Sequence, residues 1–229
     1  MNRKIIAATG AAFLALAGCK GKAKEGAELG RAYFQGMGCV RCHRIGGEGG
    51  RVGPDLTLVG FRKSRDWLDT WLENPPAWKK NTIMPNFHLQ ADMRRAIVDY
   101  LASLKGQDYG DKRPWMAPEF DGDPVRRGEA LFKGAGCATC HGLKGAGGYP
   151  NNNVVGGKIP ALTYAADGYS KEELKERIRN GKVPDKADPN GTAPLLVMPP
   201  WGEVLNEDEI DAVADYVLSL RPAGAEDWE

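Results

Sequence analysis

The sequence predicts an all-α chain of two related domains, each a few helices wrapped around one covalently bound prosthetic group. Three observations carry this. Cys-x-x-Cys-His occurs twice, as Cys39-Val40-Arg41-Cys42-His43 and as Cys137-Ala138-Thr139-Cys140-His141. The flanking segments recur in the same order: Gly30-Arg31-Ala32-Tyr33-Phe34 matches Gly128-Glu129-Ala130-Leu131-Phe132, and Asp99 to Leu104 matches Asp215 to Leu220. Chance similarity does not keep three motifs in one order. Between turn signals, apolar residues recur three and four apart, which is helical spacing.

Cys-x-x-Cys-His is the attachment signal of a c-type haem. Two residues between the cysteines let both sulfurs reach one edge of a porphyrin, and the adjacent imidazole then lies beneath the iron. A lone Cys-x-x-Cys also suits a zinc half-site or a redox dithiol. Zinc wants two more ligands per site, and a dithiol gives no reason for histidine to follow twice. The expected cofactors are therefore two covalently bound haem c groups, on Cys39, Cys42, Cys137 and Cys140. At 229 residues each half is small, and small domains bury too little apolar surface for comfort. A bound haem supplies the missing core, and 30 glycines suit loops wrapped around it. Of five cysteines, four belong to the motifs, leaving Cys19 and no disulfide.

The N-terminus reads as an export signal. Arg3 and Lys4 precede an apolar run from Ile5 to Ala17, which is too short to span a bilayer as a mature helix. It ends in Leu16-Ala17-Gly18-Cys19, which resembles a bacterial lipoprotein signal. The resemblance implies residues 1–18 as signal peptide and Cys19 as the lipid anchor; an ordinary signal peptide is the alternative. The implied location is the periplasmic side of a bacterial membrane, and Lys20 in place of Asp favours the outer membrane. Residues 19–26 then form a tether.

The first domain, 27–106, opens with a helix over Glu28–Gly38 carrying Leu29, Ala32, Tyr33 and Met37. A glycine-rich loop over 46–53 leads to Gly53-Pro54-Asp55-Leu56. Ser64 caps a helix whose Trp67, Leu68, Trp71 and Leu72 share a face, and Pro75 and Pro76 stop it. Thr82-Ile83-Met84-Pro85 is a loop. Asp92 caps a last helix striped by Met93, Ala96, Ile97, Tyr100, Leu101 and Leu104. Residues 107–123 have no sustained period and form a linker, with Trp115 and Phe120 packed against a domain. The second domain, 124–221, starts at an Asp123 cap with Pro124 at N1. Capping boxes pair Ser170 with Glu173 and Asn206 with Glu209. The repeat offset grows from 98 at the cysteines to 116 at the last helix, which places insertions at 145–158 and 183–194. Residues 222–229 are a tail.

His43 and His141 are the proximal metal ligands. For the opposite face of the second haem, Met198 is the one methionine after His141; an unusual ligand or an open position are the alternatives. The first has Met84, His88 or Met93. Methionine is usually core filler, yet Met84-Pro85 and Met198-Pro199 occupy the same place in the repeat, just before the last helix. The ligands are accordingly Met84 and Met198, with His88 as competitor.

These residues together resemble a tandem dihaem member of the class I cytochrome c family, over about residues 27–106 and 124–221. The family order is helix, Cys-x-x-Cys-His, Pro-x-Leu, helix, Met-Pro, final helix. The resemblance implies two cytochrome c-like domains, and it implies that Pro54 and Pro160 accept a hydrogen bond from the proximal imidazoles, orienting them; otherwise these prolines only fix turns. His/Met ligation with both axial positions filled favours a carrier passing single electrons between a protein donor and a protein acceptor over chemistry at iron, and the lipoprotein-like signal implies that it is membrane-anchored. A dihaem peroxidase-like enzyme with one open haem, or an electron-entry subunit of a larger membrane redox complex, are the alternatives. Residues 19–106 hold 15 Lys and Arg against 9 Asp and Glu, net +6, and residues 107–229 hold 14 against 21, net −7. Such opposed halves steer different redox proteins to different ends. Nothing in the pattern points to nucleic acid.

Overall fold

The structure, a computed structural model, describes residues 25–110 and 113–224. The signal segment, Cys19 and nearly all of the tether lie outside the described residues. The first half holds α1 (Gly26–Gly36), α2 (Val59–Arg62), α3 (Arg65–Glu73), α4 (Pro75–Trp78) and α5 (Ala91–Ser103). The second holds α6 (Pro124–Leu131), α7 (Ala138–His141), α8 (Ala165–Gly168), α9 (Lys171–Asn180) and α10 (Glu207–Leu218).

Local chemistry sets most ends. Ser64 Oγ accepts the Trp67 N–H at 3.1 Å and starts α3. Both capping boxes close, at Ser170–Glu173 and at Asn206–Glu209. Asp123 caps α6 with Pro124 behind it. Three local expectations shift. Pro75 ends α3 and also starts α4, because a helix's first turn has no use for the missing N–H. Asp92 is not a cap: Gln90 holds that place with no side-chain bond, and Asp92 sits in the first turn, paired with Arg95. There its charge meets the positive end of the helix dipole. The glycine-rich loop contains a short antiparallel hairpin, β1 (Arg44–Ile45) with β2 (Glu48–Gly49), turned by Gly46 and Gly47 at positive φ.

The repeated glycines mark the closest helix contact in each half. A Cβ on Gly30 would lie 1.8 Å from the Ala96 carbonyl oxygen, and one on Gly128 would lie 1.9 Å from that of Ala212. Only a bare Cα lets α1 rest on α5, and α6 on α10, at that distance. Beside each crossing an aromatic pair fills the corner: Phe34 with Tyr100 at 5.6 Å, and Phe132 with Tyr216 at 5.3 Å.

Each half has its own apolar core, and each core borrows from the other half. Phe34, Trp67, Leu68, Ile97 and Leu101 take in Leu196, with Tyr149 and Ile159 against them. Leu131, Phe132, Ile210, Val213 and Val217 take in Leu58, Tyr109 and Trp115, with Phe61 alongside. The linker is docked rather than free. Trp115 is 1% exposed and donates its Nε1–H to Glu209 at 2.6 Å, while Arg113 Nη1 reaches both Glu209 oxygens at 2.7 and 2.9 Å.

Candidate functional site

In both motifs the backbone makes one tight turn. The His141 and Cys140 N–H groups donate to the Cys137 carbonyl at 3.0 and 3.1 Å; those of His43 and Cys42 donate to the Cys39 carbonyl at 3.0 and 3.2 Å. The two cysteines, three apart, therefore share one side of the turn and the histidine follows directly.

Around the second motif the fold forms an apolar cavity of about 500 Å³ whose walls include Cys137, Cys140, His141, Pro160 and Met198. The sequence arranges this locally. α9 ends at Asn180, and Gly181 follows at positive φ where a Cβ would strike the Met198 carbonyl oxygen at 2.3 Å. Lys182 can then pair with Met198 in both directions, at 2.9 and 3.0 Å, which fixes Met198 on the cavity wall. The insertions lock together around it. Asn151 exchanges two hydrogen bonds with the Leu196 backbone, at 2.9 and 3.1 Å. Asn152 bonds the Ala193 carbonyl and the Leu195 N–H, and Asn153 bonds the backbone at Asp188 and Thr192.

Burial pushes the Cys137 thiol up to about 12 and raises the Cys39 thiol as well. Neither is a thiolate at neutral pH, which is the reverse of what a redox dithiol requires. Among the described residues no three His, Cys, Asp or Glu side chains converge as a zinc site would. Burial lowers His141 to about 4, so its ring is neutral and able to ligate a metal. Its Nδ1 is closed to solvent without a hydrogen bond of its own, although the Pro160 carbonyl lies close enough to favour the protonated ring. A neutral imidazole, two sulfurs and a thioether on one apolar cavity fit a covalently held haem.

The first set is placed in two parts. His43 Nδ1 lies 2.9 Å from the Pro54 carbonyl oxygen, and a Cβ on Gly53 would meet the ring at 2.5 Å, so the glycine lets the backbone lie against it. Desolvation lowers the His43 pKa. Met84 and Cys39 both pack against the first core. The Met84 sulfur accepts the Trp71 Nε1–H at 3.0 Å, and Trp71 stacks on Trp67. His88 is exposed on a left-handed backbone at φ 49, its N–H bonded to the Asn86 side chain. Met93 packs against the first core.

Arg62 and Lys63 escaped the sequence reading. Two adjacent cations look like solvated surface, yet both are 7% exposed and both touch the second motif. The Trp71–Met84 contact and the asparagine pairs are not legible in the sequence either, since the partners lie 13 to 45 residues apart.

The cytochrome c family model matches residues 27–105 and 125–221. The chain is 30% identical over 185 residues to the Cbb3-type cytochrome c oxidase subunit FixP of Rhizobium meliloti (strain 1021), covering 74% of this chain and 58% of that one. Cytochrome c6 of Euglena gracilis is 39% identical over 87 residues, which are 36% of this chain and 78% of that one. Cytochrome c oxidase subunit 2 of Alkalihalophilus pseudofirmus is 31% identical over 88 residues, 34% of this chain. The chain spans 26% of that oxidase subunit and 58% of FixP, so both relatives are substantially longer. With the motifs, the cavity and a family match over both halves, the chain belongs to the cytochrome c family, proteins that transfer electrons through covalently bound haem c.

Proposed function

We propose that this protein is a lipid-anchored carrier passing single electrons between protein partners on the periplasmic side of a bacterial membrane, through two haem c groups, one per half. The observation that carries the reading is the cavity on which Cys137, Cys140, His141 and Met198 meet, together with the same residue order at Cys39, Cys42, His43 and Met84. The haem iron supplies a reversible one-electron couple. The chain supplies the rest. Each cysteine pair would hold the porphyrin by two thioether bonds. His43 and His141 would hold the iron, oriented by the Pro54 and Pro160 carbonyls. Met84 and Met198 would supply the second protein ligand to each iron, which would keep exogenous ligands out and favour a high potential. The apolar walls exclude water and lower the local dielectric.

Filled axial positions favour a carrier over a peroxidase-like enzyme. The likeness to FixP over 74% of this chain supports a second reading, an electron-entry subunit of a larger redox complex. Among the described residues no helix is long and apolar enough to cross a membrane; the proposed attachment is lipid on Cys19, and Lys20 favours the outer membrane. Intact mass of the mature protein is expected to show two covalent haem additions, with a c-type pyridine haemochrome. One haem, or haem lost to acid acetone, would overturn the reading.

A further inference from the structure

The buried cations nearest the second haem motif belong to the first half. Arg62 Nη1 donates to Thr139 Oγ1 at 2.9 Å and to the Gly136 carbonyl at 3.3 Å. Its Nη2 donates to the Asp55 carbonyl at 2.8 Å, and its Nε to that of Leu58 at 3.3 Å. Gly136 is required there, because a Cβ would meet Arg62 Nη1 at 2.3 Å. Lys63 Nζ lies 2.9 Å from Cys140 Sγ and stands 4.4 Å over the Trp67 ring. None of these partners is a carboxylate. The Asp55 carboxylate is engaged by Arg44 at 3.0 Å and by Thr57. The Arg62 guanidinium is thus desolvated without a carboxylate partner and stays protonated under any working condition, while burial lowers the Lys63 pKa.

No buried cation touches the first motif itself among the described residues: Arg41 is exposed and Arg44 is ion-paired. Arg62 reaches it only through the Asp55 carbonyl, whereas Arg62 bonds the second motif directly and lines its cavity. Reduction adds one negative charge to a haem. A fixed cation in a low-dielectric surround favours that state far more than a screened surface charge does. We infer that Arg62 and Lys63 hold the second haem above the first in reduction potential, so that electrons inside the chain run from the haem at His43 to the haem at His141. The inference rests on the two-haem reading. One electron leaves the reduced iron at His43 and reduces the ferric iron at His141; no proton moves and no bond forms or breaks. A donor protein refills the first site and an acceptor protein empties the second. Arg62 also joins the two ligand loops, since the Asp55 carbonyl that it binds follows Pro54, the acceptor for His43.

Spectroelectrochemical titration of the full-length holoprotein tests this. The unmodified protein should show two one-electron couples. Arg62→Met should weaken the upper couple at least tenfold in its reduction equilibrium, about 59 mV for one electron, and leave the lower couple in place. Lys63→Met should move the same couple in the same direction, and it decides the matter if Arg62→Met does not accumulate. Arg62→Lys keeps the charge while losing the forked bonds, and should hold the upper couple within threefold. A fall in the lower couple alone, equal falls in both, no movement, or two haems titrating together would overturn the inference. A single haem by pyridine haemochrome would instead overturn the two-haem reading.

Discussion

Replacing Gly30 by alanine separates two effects that oppose each other inside one helix. In an isolated helix, alanine is better than glycine by about 1 kcal/mol. At Gly30, however, the new Cβ would lie 1.8 Å from the Ala96 oxygen, 2.5 Å from its carbonyl carbon and 2.8 Å from Tyr100 Cβ, where ordinary contact begins at 3.4 Å. The nearest of these atoms are backbone, so no side chain can swing aside. α1 and α5 must part by more than 1 Å, which loosens the Phe34–Tyr100 pair and the core beside Ile97 and Leu101. Overpacking of this kind costs roughly 1–3 kcal/mol, and more when backbone must move. The net expectation is a loss of about 2 kcal/mol after the propensity gain. Gly128→Ala meets the Ala212 oxygen at 1.9 Å and should cost a similar amount. Gly36→Ala, in the last turn of α1 with nothing within 4 Å, should instead stabilise by up to about 1 kcal/mol. Equilibrium urea unfolding of the holoprotein, followed by circular dichroism with the slope m held as a control, reads all three. A Gly30→Ala protein as stable as the parent would refute the crossing geometry.

Three further outcomes are expected. Glu209→Ala should cost about 3–5 kcal/mol, because it strands the buried Trp115 indole and unpairs Arg113. Glu209→Gln keeps an acceptor and should cost less; equal urea midpoints for the two would contradict this account. Met198→Ala should let reduced protein bind carbon monoxide at one haem, whereas Met84→Ala should bind it less if His88, four residues on, reaches the iron; carbon monoxide binding by the unmodified protein at full stoichiometry would argue for open haems. Cys19→Ser should release the protein from membranes, or block its processing, without altering either haem spectrum, and unchanged processing with retained membrane binding would rule out lipid as the anchor.

What the chain states about itself is the local part. The Ser170–Glu173 and Asn206–Glu209 boxes, the Asp123-Pro124 start and the Gly181 stop each depend on bonds within four residues, so neighbouring letters suffice. The Cys-x-x-Cys-His turns are equally local, and the Gly30 and Gly128 repeats announced a shared geometry without saying which carbonyl each glycine meets. Asp92 was misread as a cap because a short acid suits both the N-cap and the first turn, and only the backbone at Gln90 distinguishes them. The tertiary structure decided everything that spans the halves. Glu209 is legible as a capping residue, but its Arg113 and Trp115 partners lie 96 and 94 residues away. Arg62 and Lys63 carry the signature of solvated surface, since charge in sequence favours water. They are buried because α2 turns them onto residues 74 to 77 positions later, where carbonyls, a hydroxyl and aromatic faces replace the lost hydration. A sequence pattern records which groups a residue carries, and long-range packing determines which of them lose their water.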